Sequence, residues 1–253
     1  MITQAQIEEY NENGYIVVKN LISPENLAKV RQKVDDIQNT ILEAQAAARK
    51  RNSGVDFIVE PGSGGGTAVA AKPVLRKLAE LAPNDEFFRS IASSQNILDV
   101  VSALTGGNRG VYLYSDQVFL KPAFCGSEKP LHQDNSYFKV TPNTAGVTCW
   151  MALDDATIEN GCMHYIPGTH KLGRIPHKEI KNTPHLTPES DTPFGNEVPV
   201  PIPAGAAIFH NLLTLHSSKA NTSPHSRRAW ALHFANACAT DSVKPFSQML
   251  KLR

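Results

Sequence analysis

The sequence predicts a mainly β protein with flanking helices, its strands wrapped into an antiparallel double-sheet barrel, a jelly roll. Three observations predict it. After residue 110 the chain falls into short alternating runs rich in β-branched and aromatic residues. Turn signals at Glu159-Asn160-Gly161, Pro167-Gly168 and Pro203-Ala204-Gly205 separate these runs, with no helical pattern between them. Before residue 105 the apolar residues recur at i, i+3, i+4, as in helices that pack on the outside of a sheet.

Residues 3–13 read as a helix capped by Thr3, with Gln6 as capping-box partner. Gly14 ends it, and Tyr15-Ile16-Val17-Val18 reads as a strand. Ser23-Pro24 opens a second helix, a cap followed by proline at the first helical position. Its apolar stripe is Leu27, Val30, Val34, Ile37 and Ile41. Asn52 to Ala70 is glycine-rich but lacks the Gly-Lys-Ser/Thr ending of a phosphate loop, so it reads as a mobile loop. Residues 73–81 and 84–104 read as helices on their leucine, phenylalanine and isoleucine spacing, stopped by Gly106-Gly107. Tyr112 to Lys121, Val147 to Leu153, Met163 to Ile166, Ala206 to His210 and Ala229 to Asn236 read as strands. Residues 170–200, with five prolines, form a lid-like excursion. The expected organisation is one domain over residues 1–253: a helical N-terminal part at 1–105, a jelly-roll core at 110–240, and the excursion.

Composition narrows the function. A 41% hydrophobic content suffices for a core, and a net charge of +1 gives no reason to expect nucleic acid or a membrane surface as partner. Four cysteines without a Cys-x-x-Cys spacing read as buried thiols rather than a disulfide frame or a zinc site. No leader or membrane span is read, so the expected location is cytoplasmic. Nothing fixes an oligomeric state.

His132 and Asp134, in Leu131-His132-Gln133-Asp134, stand at i and i+2. On one extended strand they share a face, giving two-thirds of the 2-His-1-carboxylate set that holds Fe(II) with open positions opposite. Three distal histidines compete to complete it: His210 at the end of an apolar strand, His216, and His225 in a polar turn. Eleven residues beyond His216 comes Arg227, followed by Arg228. A return strand would bring one of this pair inside, where a guanidinium grips a carboxylate through two parallel hydrogen bonds. Alternation keeps the other outside.

These residues, with Ser218 and Asn221, with Cys149 to Ala156, with Glu159 to Cys162 and with Ile166 to His170, resemble the phytanoyl-CoA dioxygenase family. The resemblance covers nearly the whole chain; residues 44–72 and 171–200 match least. It implies a double-stranded β-helix of cupin-like form and an oxygenase using Fe(II), 2-oxoglutarate and O2. It implies that His132, Asp134 and His216 bind iron and that Arg227 pairs with the distal carboxylate of 2-oxoglutarate. Ser218, Trp150, Gln117 and Lys77 would complete the co-substrate pocket. The implied reaction hydroxylates or otherwise oxidises a C–H bond of a small organic substrate and yields succinate. A carboxylate at 134 argues against halogenation, which needs a small residue there. Asn135, Tyr137 and Phe138 are expected to face the substrate. Two other readings stand beside this one: a non-catalytic jelly-roll metal or ligand binder, and a zinc hydrolase, for which no general base is evident.

Overall fold

The computed structural model of the chain describes residues 2–46, 56–59, 74–107, 110–181, 183, 185–190 and 194–253. Its N-terminal elements are α1 (Gln4–Asn13), β1 (Tyr15–Val18), α2 (Pro24–Ala46), β2 (Asp56–Val59), β3 (Leu75–Ala79), α3 (Leu81–Asn84), α4 (Glu86–Ala92) and α5 (Gln95–Leu104). There follow β4 (Val111–Lys121), β5 (Lys129–His132), α6 (Asn135–Phe138), β6 (Gly146–Ala152), β7 (Met163–Tyr165), β8 (His177–Glu179), β9 (Leu186–Pro188) and β10 (Val198–Val200). The chain ends in β11 (Ala207–Asn211), β12 (His216–Ser218), β13 (Arg227–Asn236) and β14 (Leu250–Lys251). Thr3 and Gln6 form the expected capping box, and Gly14 closes α1 in the left-handed region at φ 83°. The Ser23 hydroxyl accepts from the Asn26 amide, as a cap should.

The strands build an antiparallel jelly roll. One sheet runs β1-β11-β6-β13-β4-β3-β2, with β14 on β4; the facing sheet runs β10-β7-β12-β5, and β8 and β9 form a separate hairpin. The larger sheet is covered on both faces. Outward, Val147, Cys149, Met151, Phe209, Trp230 and Leu232 pack against the helices, including Leu27, Val30, Val34 and Ile41 of α2. Inward, Trp150, Ile208, Ala229 and Ala231 face the smaller sheet and its Met163 and Tyr165. Period-2 alternation thus divides each strand between two cores. Among the described residues no helix is long and apolar enough to cross a membrane.

Several expectations are corrected. Residues 73–81 contain a strand, β3, and not a helix. A bulge explains the misleading spacing: Ile58 pairs with Lys77 and Val59 with Leu75, leaving Arg76 unpaired. One extra residue turns a period of two on the helix-packed face into an apparent three, so Leu75 and Leu78 are both buried in the outer core. Part of the expected loop at 52–70 is the strand Asp56–Val59; the rest lies outside the described residues. The N-terminal part is not only helical, since it contributes β1, β2 and β3 to the larger sheet. Arg227 does not return beside β12: the chain crosses from the smaller sheet to the larger one between His216 and Arg227. Cys125 is exposed and Cys238 partly so, while Cys149 and Cys162 are buried as expected.

Candidate metal and co-substrate site

Strand pairing assembles the first part of the site. His216 on β12 lies directly opposite His132 on β5, and on its other side opposite Tyr165 on β7. The two imidazole centroids are 4.2 Å apart. Asp134 arrives differently from the expectation of a shared strand. Strand β5 ends at His132, and Asp134 adopts helical dihedrals (φ −58°, ψ −36°) at the start of α6. Gln133 fastens the turn between them, donating to the carbonyls of Gly173 (2.9 Å) and Leu213 (2.7 Å) and accepting from the Ile175 amide. Asp134 Oδ1 is 3.6 Å from Nε2 of both His132 and His216. One ligand atom from each of the three buried residues lies within 4.8 Å of the others.

The surrounding hydrogen bonds prepare these atoms for a metal. His132 Nδ1 sits 2.8 Å from the Pro130 carbonyl and His216 Nδ1 2.9 Å from the Thr214 carbonyl. A carbonyl only accepts, so each Nδ1 carries the proton and each Nε2 presents a lone pair to the site. Burial depresses both histidines, His132 with help from the Lys129 ammonium and His216 with help from His132 and His210, which favours neutral imidazole. Burial alone would raise Asp134, but the imidazoles of His216, His132 and His210 outweigh it and hold the carboxyl well below its usual range. Its Oδ2 accepts from Thr148 Oγ1 (2.6 Å) and His210 Nε2 (3.0 Å), leaving Oδ1 for the metal. His210 is in turn held by the Tyr165 hydroxyl at 2.9 Å. Two neutral nitrogens and one carboxylate oxygen on one side of a point suit Fe(II).

His210 therefore orients the carboxylate, and His225 is exposed; of the three competing histidines His216 joins the metal set. Sequence reasoning had no signal for Thr148 or Gln133 in these supporting roles.

Beyond the triad the cavity opens to about 300 Å³ between the sheets. Ala231 leaves room for it, being a small residue on the inner face of β13. Arg227 opens β13 on that same face and is 1% exposed. Its guanidinium lies 5.2 Å from the centroid of the Trp150 ring. Its Nε and Nη1 are buried without a partner among the described residues. Burial pulls its pKa down to about 10, a sign that the fold alone does not compensate the charge. A bound carboxylate would supply what is missing, so the residues fit 2-oxoglutarate. Arg228 points the other way and pairs with Asp154 and Asp35. Ser218, Trp150, Gln117 and Lys77 all line the cavity, Lys77 from β3 and not from a helix. Tyr137 and Phe138 line it too. Asn135 does not: it is buried beneath α6, where Nδ2 donates to Val140 and Asn143 and Oδ1 accepts the Val140 amide. Its amide is consumed in closing that turn, so the substrate role expected of it is withdrawn.

The fold and site together define a jelly-roll oxygenase of the iron- and 2-oxoglutarate-dependent class. Comparison with known proteins gives the family. The chain belongs to the phytanoyl-CoA dioxygenase (PhyH) family, whose profile matches residues 10–229. It is 26% identical to phytanoyl-CoA dioxygenase domain-containing protein 1 of Bos taurus, over 94% of this chain and 92% of the relative. It is 29% identical to peroxisomal phytanoyl-CoA dioxygenase of Rattus norvegicus, over 98% of this chain and 73% of that one. The fold is similar to that of the epimerase SnoN, solved with Fe3+, alpha-ketoglutarate and nogalamycin RO: TM-score 0.67 at 22% identity, covering 93% of this chain and 84% of that one.

Proposed function

We propose that residues 1–253 form one domain that hydroxylates, or otherwise oxidises, a C–H bond of a small organic substrate while converting 2-oxoglutarate to succinate. The observation that carries this reading is the buried guanidinium of Arg227, its Nε and Nη1 unpartnered among the described residues, in the same cavity as the His132–Asp134–His216 set. A protein that only bound a metal would have no use for a carboxylate clamp there.

Iron with 2-oxoglutarate supplies the oxidising chemistry when bound. The chain's residues do the rest. His132, Asp134 and His216 would hold the metal from one side and leave the other side to co-substrate and oxygen. Arg227, stacked on Trp150, fixes the far carboxylate of 2-oxoglutarate, with Ser218, Gln117 and Lys77 beside it. Tyr137 and Phe138 stand where a substrate would rest, an apolar surface with one hydroxyl. Tyr165, Ile208 and Met163 keep the inner space dry. The four free thiols support a cytoplasmic setting.

The test is succinate formation from 2-oxoglutarate in air, with Fe(II) and a broad panel of small organic substrates. Stoichiometric succinate in the native chain, lost in Asp134→Ala, is the expected outcome. A chain that binds iron but never makes succinate would instead be the non-catalytic binder.

A further inference from the structure

Arg227 is answered by the co-substrate, but the cavity holds more positive charge than that. Arg76, Lys77, Lys121 and Lys129 also line it, and Asp134 is the one carboxylate among the described lining residues. Ferrous iron, Asp134, doubly charged 2-oxoglutarate and Arg227 together come to neutrality. Lys77 is counted with the co-substrate pocket, which leaves Arg76, Lys121 and Lys129 beyond the chemistry already described. Lys121 is tied into backbone, donating to the carbonyls of Ser127, Ser218 and Lys219.

Lys129 and Arg76 are held differently. Lys129 Nζ donates to the Tyr137 hydroxyl at 3.1 Å and lies 3.1 Å from His185 Nδ1, both neutral partners. Arg76 donates to the Glu128 carbonyl, also neutral. Among the described residues neither pairs with a carboxylate. The bulge in β3 turns Arg76 and Lys77 together toward the cavity, although neighbours on a regular strand would point apart. The Tyr137 ring spans the distance to the metal site: its centroid is 4.8 Å from Lys129 Nζ on one side and 5.8 Å from the His132 ring on the other. Two described residues of the excursion reach this corner: His185 lies against Lys129, and the Leu186 amide donates to the Tyr137 hydroxyl.

We propose that the substrate is a small organic acid whose anionic group, carboxylate or phosphate, is held by Lys129 with Arg76, so that its carbon chain runs along Tyr137 toward the metal. The inference rests on the oxygenase reading above. Burial already pulls Lys129 down to about 8 and, with Lys129 and Arg76, His185 down to about 4. An arriving anion relieves this crowding of positive charge. The cavity of about 300 Å³ is shared with 2-oxoglutarate, and short acids are the simplest probes of the part beside the metal site.

The test uses the Fe(II)- and 2-oxoglutarate-loaded protein under anaerobic conditions. Straight-chain carboxylates from acetate to hexanoate, the matching alkyl phosphonates and the matching neutral amides are titrated by calorimetry. At least one acid is expected to bind tenfold or more tightly than its amide, and the carboxylate and phosphonate arms show which anion is preferred. Lys129→Met is expected to erase that preference and Lys129→Arg to keep most of it, while 2-oxoglutarate affinity in both variants stays within about twofold of native. Acids and amides binding alike, or a preference that survives in Lys129→Met, overturns the proposal. So does a fall in 2-oxoglutarate affinity in Lys129→Met, which would make Lys129 a co-substrate group. Failure of the native chain to bind 2-oxoglutarate at all would instead remove the oxygenase reading beneath it.

Discussion

His210 and Thr148 both bond Oδ2 of Asp134, and this division of one carboxylate between support and metal fixes what each residue should do when changed. Asp134→Ala removes a candidate ligand, and the proposed turnover should vanish. His210→Ala keeps the ligand but frees it to rotate. Iron affinity should then fall about 10–100-fold, the usual cost of losing such a support, as measured by competition with a chelator. Arg227 leads to a paired prediction. In Arg227→Met the 2-oxoglutarate affinity should drop by about 2–5 kcal/mol, as for truncating one side of a buried charge pair. The ligand-free protein should meanwhile be more stable by about 1–4 kcal/mol, because an uncompensated buried charge is replaced by an apolar chain of similar length. Calorimetry and chemical denaturation check the two halves, and a destabilised Arg227→Met would mean the guanidinium has a protein partner. At this scale the residues of the candidate triad were legible because their chemistry is rare, and the fold brings His132, Asp134 and His216 together. Asn135 was not, since adjacency to His132-x-Asp134 says nothing about which way a turn points its amide.

Elements were legible wherever the hydrophobic period was clean. The caps of α1 and α2 and the strands β4, β6, β11 and β13 follow from local pattern. Strand β3 did not, because its bulge at Arg76 imitates a helical spacing over five residues. The His132–Asp134 pair misled in a similar way: i and i+2 placed both on one strand, whereas the strand stops between them and α6 carries the carboxylate. On the outer face of β4, Asp116 supports α3. Its Oδ2 accepts from the Leu81 and Ala82 amides and from Trp230 Nε1. Burial raises its pKa to about 6, against the pull of those three donors. The native pKa lies above the unfolded value of 3.8, so the neutral acid is the stabilised form. That contribution is full below about pH 4 and is lost as pH rises through about 6. At about 1.4 kcal/mol per tenfold, roughly 3 kcal/mol is involved. Asp116→Asn should flatten this part of the stability profile, read as the difference between native and variant unfolding free energies at pH 4 and pH 7. Parallel profiles would place the titration elsewhere.

For the whole molecule, the larger sheet has two buried faces with different tasks. The outer face packs helices for stability, while the inner face gives up packing at Ala231 to leave a cavity lined with charge. The jelly roll itself was legible from many short strands without intervening helices. Which sheet each strand joined was not, because crossing between sheets, as the chain does from β12 to β13, leaves no local trace. Buried cations and clustered neutral imidazoles cost the ligand-free fold stability, so ligands should return it. Fe(II) with 2-oxoglutarate at one hundred times its dissociation constant should raise the unfolding free energy by about 2.7 kcal/mol, visible as a higher melting temperature that Arg227→Met largely abolishes.

In the function proposed, His132, Asp134 and His216 would hold one iron, and Arg227 would anchor 2-oxoglutarate beside it. Anaerobic titration of the native chain with Fe(II) and 2-oxoglutarate tests it most directly. A weak visible charge-transfer band should grow to saturation at one iron per chain and be absent from Asp134→Ala. A native chain that shows no such band, or an Asp134→Ala variant that shows it at full strength, would contradict the account.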